Sequence, residues 1–172
     1  NRDVVNYHYD EYGRLDTQIY EDGDAVVYKY DNKGALATVT DSNGVTTKYY
    51  YDFTQRLMKY VESGEDYSHS VAYTYDTMNN LTGLVETING TEFTSSYGYN
   101  DDNVLTSVTN AANSWSFGYD AYGRLNTLNG GAFNRTYNYH TSTESNPTAQ
   151  LSSIAYPLDG QTYSYTYDAN GS

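Results

Sequence analysis

A nine-residue phrase, Tyr-x-Tyr-Asp-x-x-Gly-Arg-Leu, recurs along the whole chain and restricts it to a small set of architectures. It is complete at Tyr7-His8-Tyr9-Asp10-Glu11-Tyr12-Gly13-Arg14-Leu15. It returns, with Phe in first place, at Phe117-Gly118-Tyr119-Asp120-Ala121-Tyr122-Gly123-Arg124-Leu125. Eight copies place their second Tyr at Tyr9, Tyr30, Tyr51, Tyr75, Tyr99, Tyr119, Tyr139 and Tyr167, with steps of 21, 21, 24, 24, 20, 20 and 28 residues. A period of that size marks an array of small structural units, each leaning on its neighbours.

The phrase reads as a strand followed by a turn. Residues two apart in an extended chain share a face. One face therefore carries Tyr7/Tyr9, Tyr28/Tyr30, Tyr49/Tyr51, Tyr73/Tyr75, Tyr97/Tyr99, Phe117/Tyr119, Tyr137/Tyr139 and Tyr165/Tyr167. The opposite face carries His8, Lys29, Tyr50, Thr74, Gly98, Gly118, Asn138 and Thr166, mostly small or polar. Asp then opens a turn by accepting a backbone N–H two residues on, and Gly in the fourth place supplies a positive φ. Asp10 to Gly13, Asp31 to Gly34 and Asp120 to Gly123 fit a type I turn leading into a glycine bulge. Asp52 and Asp76 open the same turn with other residues in the glycine place. Asn79 and Asn103 replace glycine acceptably, because Asn tolerates the left-handed region, and Gln55 is the weak substitute. An apolar strand restarts at Leu15, Leu36, Leu57, Leu81, Leu105 and Leu125.

The second turns fall at Glu21-Asp24, Asp41-Gly44, Ser63-Gly64, Asn89-Gly90, Asn110-Asn113 and Asn129-Gly131, and Asn-Gly is a strong hairpin signal. Repeat seven departs from the pattern. His140 stands in place of Asp, and 141–148 reads as a longer polar connection before Leu151 and Ile154. Pro157 confines that strand to an edge or an end, and the last strand is expected over Gln161 to Tyr167. No helical periodicity appears. The expectation is an all-β chain of tandem antiparallel β-hairpins, up to 15 strands, forming a curved or spiralling single-layer sheet about 70 Å wide. The array occupies 1–172, with phrases at 7–15, 28–36, 49–57, 73–81, 97–105, 117–125, 137–151 and 165–172.

Composition narrows the function classes. The chain has 23 Tyr against 4 Phe, so its aromatic surface carries hydroxyls that need partners. A net charge of −13 with 9 Lys and Arg argues against nucleic acid and against anionic membrane surfaces. No apolar run approaches the length of a membrane span. Cysteine is absent, which excludes disulfides and thiolate metal sites. His8, His69 and His140 lie in different repeats without ligand spacing, so no metal or cofactor is expected. The acidic groups Glu21-Asp22-Gly23-Asp24, Glu65-Asp66 and Asp101-Asp102 do not match a calcium loop and read as solvated turns. No catalytic constellation stands out. Four Asn-x-Ser/Thr triplets, at Asn80, Asn89, Asn134 and Asn170, are expected by chance in a chain this rich in Asn and Thr. The start at Asn1 and the end inside a phrase are read as the limits of an excised piece of a longer protein.

The phrase resembles that of the RHS/YD-repeat family, whose signature is Tyr-Asp-x-x-Gly-Arg-Leu. Tyr9 to Leu15 and Tyr119 to Leu125 carry it in full, and Tyr51-Asp52-Phe53-Thr54-Gln55-Arg56-Leu57 lacks only the Gly. Tyr99-Asn100 and Tyr139-His140 depart from it at Asp, and Tyr167-Asp168 begins a last copy. The family includes bacterial polymorphic toxins, wall-associated proteins, the cocoon-forming subunits of Tc toxins and the teneurins. The resemblance implies a spiralling β-sheet around a hollow shell, which in the bacterial toxins holds a toxic domain. It implies a non-enzymatic segment of a secreted or cell-surface protein, bacterial in origin, whose partners are the remaining repeats and an effector domain of the same chain. The alternative is a carbohydrate- or partner-binding module of an adhesion protein, because aromatic rows can stack sugar rings. Against it, cross-strand aromatic pairs of about 0.2–1 kcal/mol each explain the Tyr content without a ligand. The end strands, lacking neighbours, are expected to pair with other copies.

Overall fold

The computed structural model describes residues 4–131, 133–142 and 146–168, and the side chains of 6–131, 133–140 and 150–168. Fifteen strands lie in one open sheet in chain order, each hydrogen-bonded to the next. They are β1 (Val4–Tyr9), β2 (Leu15–Tyr20), β3 (Ala25–Tyr30), β4 (Leu36–Thr40), β5 (Thr46–Tyr51), β6 (Leu57–Ser63), β7 (Ser68–Tyr75) and β8 (Leu81–Ile88). There follow β9 (Thr91–Tyr99), β10 (Leu105–Asn110), β11 (Ser114–Tyr119), β12 (Leu125–Asn129), β13 (Arg135–Ser142), β14 (Asn146–Tyr156) and β15 (Gln161–Ser164). The described residues contain no helix. The chain divides into two compact units, Asn1–Thr94 and Ser95–Ser172.

The register explains the phrase. In each hairpin the second Tyr pairs with the Leu that follows the turn: Tyr9 with Leu15, Tyr30 with Leu36, Tyr51 with Leu57, Tyr75 with Leu81, Tyr99 with Leu105 and Tyr119 with Leu125. In repeat seven Tyr139 pairs with Leu151. Just beyond that pair the register shifts by one residue, as a β-bulge. The extra residue changes the parity of the returning strand, so residues three apart come to share a face. Tyr28 therefore meets Val39, Tyr49 meets Tyr60, Tyr73 meets Leu84, Tyr97 meets Val108, Phe117 meets Leu128 and Tyr137 meets Ile154. The apolar face of β4 is thus Leu36 and Val39, where simple alternation from Leu36 would give Thr38 and Thr40.

A single sheet has little interior. Among the described residues Val71 is the sole buried hydrophobic, at 5% exposure. The alternation is still visible in β3 and β5, where Lys29, Lys48 and Tyr50 are exposed and Tyr28, Tyr30, Tyr49 and Tyr51 are half-buried. Glycine between the aromatics in repeats five and six has a packing cause: a Cβ on Gly98 would overlap the Ser107 hydroxyl, and one on Gly118 the Thr127 hydroxyl.

Two expectations change at the C-terminal end. The polar connection expected over 141–148 is largely strand, with Thr141 opposite Pro147 and Ser142 opposite Asn146, so the insertion lengthens the β13–β14 hairpin. Residues 143–145 lie outside the described residues. The last strand ends at Ser164, not Tyr167. Tyr165 still donates its backbone N–H to Ser152 O at 2.9 Å, while Tyr167 and Asp168 continue beyond the strand. Residues 169–172 of the last phrase, with the Asn170 triplet, lie outside the described residues.

Candidate functional site

The chemistry of the chain concentrates where one repeat meets the next, and the turn Asp organises it. At Asp10, Oδ1 accepts the backbone N–H of Tyr12 and of Arg14, both at 2.9 Å, while Oδ2 accepts Arg14 Nε at 2.7 Å. Gly13 N–H closes the turn on Asp10 O at 3.0 Å with φ +77. Asp120 repeats this on Tyr122 and Arg124, with Nε to Oδ2 at 2.7 Å. Asp52 holds Thr54 and Arg56 in the same way and accepts the Thr54 hydroxyl as well, at 2.7 Å. Asp31 accepts the N–H groups of Lys33 and Ala35. Asp76 binds Met78 and Asn80, and the Asn80 amide takes the place of the guanidinium. Asn100 makes the two backbone bonds with its amide oxygen, to Asp102 and Val104. Gln55, Asn79 and Asn103 occupy the glycine place at φ +67, +70 and +60.

Five of these turns are tied to the following repeat by a Tyr hydroxyl. The Tyr30 hydroxyl donates to Leu15 O at 2.8 Å, Tyr51 to Leu36 O at 2.9 Å and Tyr75 to Leu57 O at 2.9 Å. Tyr119 donates to Leu105 O at 2.8 Å and Tyr139 to Leu125 O at 2.7 Å. The Arg of the phrase fills the space beneath. Arg14 lies over the Tyr30 ring at 4.4 Å and over Tyr12 at 5.0 Å, and Arg124 lies over Tyr139 at 4.3 Å and over Tyr122 at 5.1 Å. Arg56 lies over Tyr75 at 4.9 Å and donates to Asn79 Oδ1 at 2.7 Å. One guanidinium thus bonds its own turn Asp and stacks on the Tyr of the next repeat, combining charge-assisted bonds with cation–π contact. Between the turns of repeats three and four lies an open cleft of about 570 Å³, lined by Phe53, Thr54, Arg56, Tyr75, Asp76, Thr77 and Asn79.

The other phrase residues sit as follows. Tyr7 and Tyr9 are exposed on β1, and Tyr28 donates its hydroxyl to Gln18 Oε1 at 2.7 Å. Tyr49 contacts Tyr60, ring centroids 6.4 Å apart. His140, in the Asp place, has Nε2 3.1 Å from Tyr165 O and its ring edge-on to Tyr167. Sequence reading left three features aside. Tyr12 and Tyr122 cover the guanidinium, which their place two residues before Arg signals. His69 pairs with Glu86 at 2.8 Å across β7 and β8. Trp115 stacks on Phe133, ring centroids 5.9 Å apart, over buried Gly130.

The carboxylates of Asp10, Asp52, Asp76 and Asp120 bind their protons weakly. Desolvation raises the Asp10, Asp52 and Asp120 carboxyls. In each, the N–H donors and guanidinium of the following Arg outweigh it, joined at Asp52 by the Thr54 hydroxyl, so all three fall below the ordinary 3.8. At Asp76 the Asn80 amide is the main cause of the lowering. A carboxyl depressed in the fold contributes stability above its unfolded pKa and loses it as pH falls through the folded value. The midpoint of urea unfolding is therefore expected to fall continuously below about pH 4. Asp52→Asn should flatten that fall, and an acid limb unchanged by the substitution would show that the turn carboxylates are not its cause.

No family model matches the chain, and no curated protein does. Solved structures share its fold. The chain is similar to a chain of the Photorhabdus luminescens Tc holotoxin pore carrying a TccC3 mutation, at 12% identity and a TM-score of 0.55, over 88% of this chain. It is also similar to a chain of the TcdB2-TccC3 crystal structure, at 15% identity and a TM-score of 0.50, over 96% of this chain. It spans 11% of the length of each of those chains. At such identities the likeness is one of fold.

Proposed function

We propose that this chain is a non-enzymatic structural segment of a secreted or cell-surface RHS/YD-repeat protein, contributing strands to a β-shell that encloses or displays an effector domain. The observation that carries this reading is the repeated junction. In repeats one and six Asp and Arg of the phrase hold the turn, and a Tyr of the next repeat donates to the Leu carbonyl that follows it, a use of polar side chains suited to an extended wall with almost no buried core. Fold likeness to chains of Tc toxin assemblies is in keeping with it. The reading takes the other repeats and the effector domain as partners in the same polypeptide.

Limited proteolysis of the full-length gene product tests it. An enclosed domain should resist cleavage in the wild type and become cleavable when Gly123→Val loosens the sheet. Equal cleavage of that domain in both proteins would contradict enclosure.

The carbohydrate reading rests on a different observation. The ladder hydroxyls of Tyr30, Tyr51, Tyr75, Tyr119 and Tyr139 already donate to Leu carbonyls, but Tyr12, Phe53 and Tyr122 stand exposed at the turn tips. A glycan array separates the two: a wall segment retains no glycan, whereas binding lost in Tyr12→Ala with Tyr122→Ala would assign the tips to sugar.

In isolation the chain should also associate through its end strands. β15 pairs with β14 and ends the sheet order, with Tyr163 exposed, and an unblocked edge pairs with other chains. Sedimentation should show association that grows with protein and salt concentration, as the −13 charge is screened, and that weakens in Tyr165→Lys. A strict monomer at high salt would contradict it.

A further inference from the structure

We infer that the cleft between the turns of repeats three and four is a seat for a tyrosine side chain presented by another polypeptide segment. Three turns carry the Arg of the phrase, Arg14, Arg56 and Arg124. In repeats one and six the residue two after Asp is tyrosine, and its ring covers the guanidinium, Tyr12 over Arg14 and Tyr122 over Arg124. Each guanidinium also lies over the Tyr ring of the next repeat. In repeat three the equivalent place is Thr54, whose hydroxyl turns back to Asp52 at 2.7 Å. Arg56 keeps the Tyr75 ring, and Thr54 and Arg56 both line the open cleft.

The rest of the lining suits the same guest. Arg56 is fixed from two sides, by Asp52 Oδ2 and by Asn79 Oδ1 at 2.7 Å each. Its plane is therefore held ready before any ring arrives, and a pre-ordered site loses less freedom on binding. Phe53 is 86% exposed at the rim and supplies apolar surface to the edge of a ring. A guest lying on the guanidinium gains cation–π contact, for which an electron-rich phenol ring is suited and an aliphatic side chain is not. The chain itself thus displays the occupant twice, as Tyr12 and Tyr122. This inference is independent of the shell reading and stands if that reading fails.

N-acetyl-L-tyrosinamide is the probe, titrated against the isotope-labelled chain and followed by backbone amide shifts. Shifts are expected at 53–56 and 75–79, with a Kd on the order of millimolar. Thr54→Tyr fills the seat from within and should weaken binding at least about tenfold, while raising the melting temperature by about 1–4 °C. Lys33→Ala, at an exposed turn position outside the cleft, should bind as the wild type does. N-acetyl-L-leucinamide should produce no comparable shifts. The inference is overturned if the wild type shows no shifts, if Thr54→Tyr binds unchanged, if Lys33→Ala also loses binding, or if the leucine probe binds equally.

Discussion

Replacing Gly123 by valine is expected to destabilise the chain by about 1–3 kcal/mol, through the backbone alone. Gly123 has φ +75, and a Cβ there would meet nothing within 4 Å. There is room for a side chain, but a β-branched residue does not adopt that φ without strain. Relaxing it would pull Gly123 N–H from Asp120 O, now at 3.0 Å, and disturb the Asp120–Arg124 pair beside it. The equivalent places in other repeats show what is tolerated: Gln55, Asn79 and Asn103 at φ +67, +70 and +60. Gly123→Asn should therefore cost far less than Gly123→Val. Because repeats lean mainly on their neighbours, hydrogen-exchange protection should fall in β11 and β12 and stay intact in β3 and β4. A uniform loss, or equal costs for Asn and Val, would contradict this account of the turn.

The second large effect is at Gly130, for the opposite reason. Its φ is ordinary, but it is buried and the Trp115 ring occupies the place of its Cβ. Gly130→Ala must push that ring off the Phe133 stack, and overpacking of this kind costs about 1–3 kcal/mol. Trp115 is the only tryptophan, so the displacement is read directly as a red shift of its emission. In a Trp115→Leu background the same glycine substitution should cost much less. An equal cost in both backgrounds would mean that the ring is not what the glycine accommodates.

The turns were the most legible part of the sequence, because a positive φ leaves few residue choices. Asp10, Asp31 and Asp120 with their glycines, and Asn79 and Asn103 as replacements, are found in the expected conformations. The strand count and antiparallel order also follow from the spacing of turn signals. Harder to see was the effect of the bulge. Leu36-x-x-Val39, Leu81-x-x-Leu84 and Leu125-x-x-Leu128 carry a spacing of three that alternation cannot explain, and only the register shift gives it meaning. The junction was half visible. Asp, Arg and Tyr stand out as recurring residues, but a Tyr hydroxyl bonding a Leu carbonyl 14 to 18 residues away depends on how hairpins lie side by side. Gly130 reads as a turn residue until Trp115 is seen against it. The end of β15 at Ser164 could not be read from Tyr163-Ser164-Tyr165-Thr166-Tyr167, whose alternation continues past the pairing.

A double-mutant cycle between Arg14 and Tyr30 reads how the phrase fastens one repeat to the next. The two residues belong to successive repeats and meet at 4.4 Å. Arg14→Gln and Tyr30→Leu, singly and together, should show a favourable coupling of about 0.5–1 kcal/mol. Arg14 combined with a change at Tyr139, in a distant repeat, should be additive within about 0.5 kcal/mol. No coupling between Arg14 and Tyr30, or a coupling equal to that of the distant pair, would mean that these phrase residues do not fasten one repeat to the next.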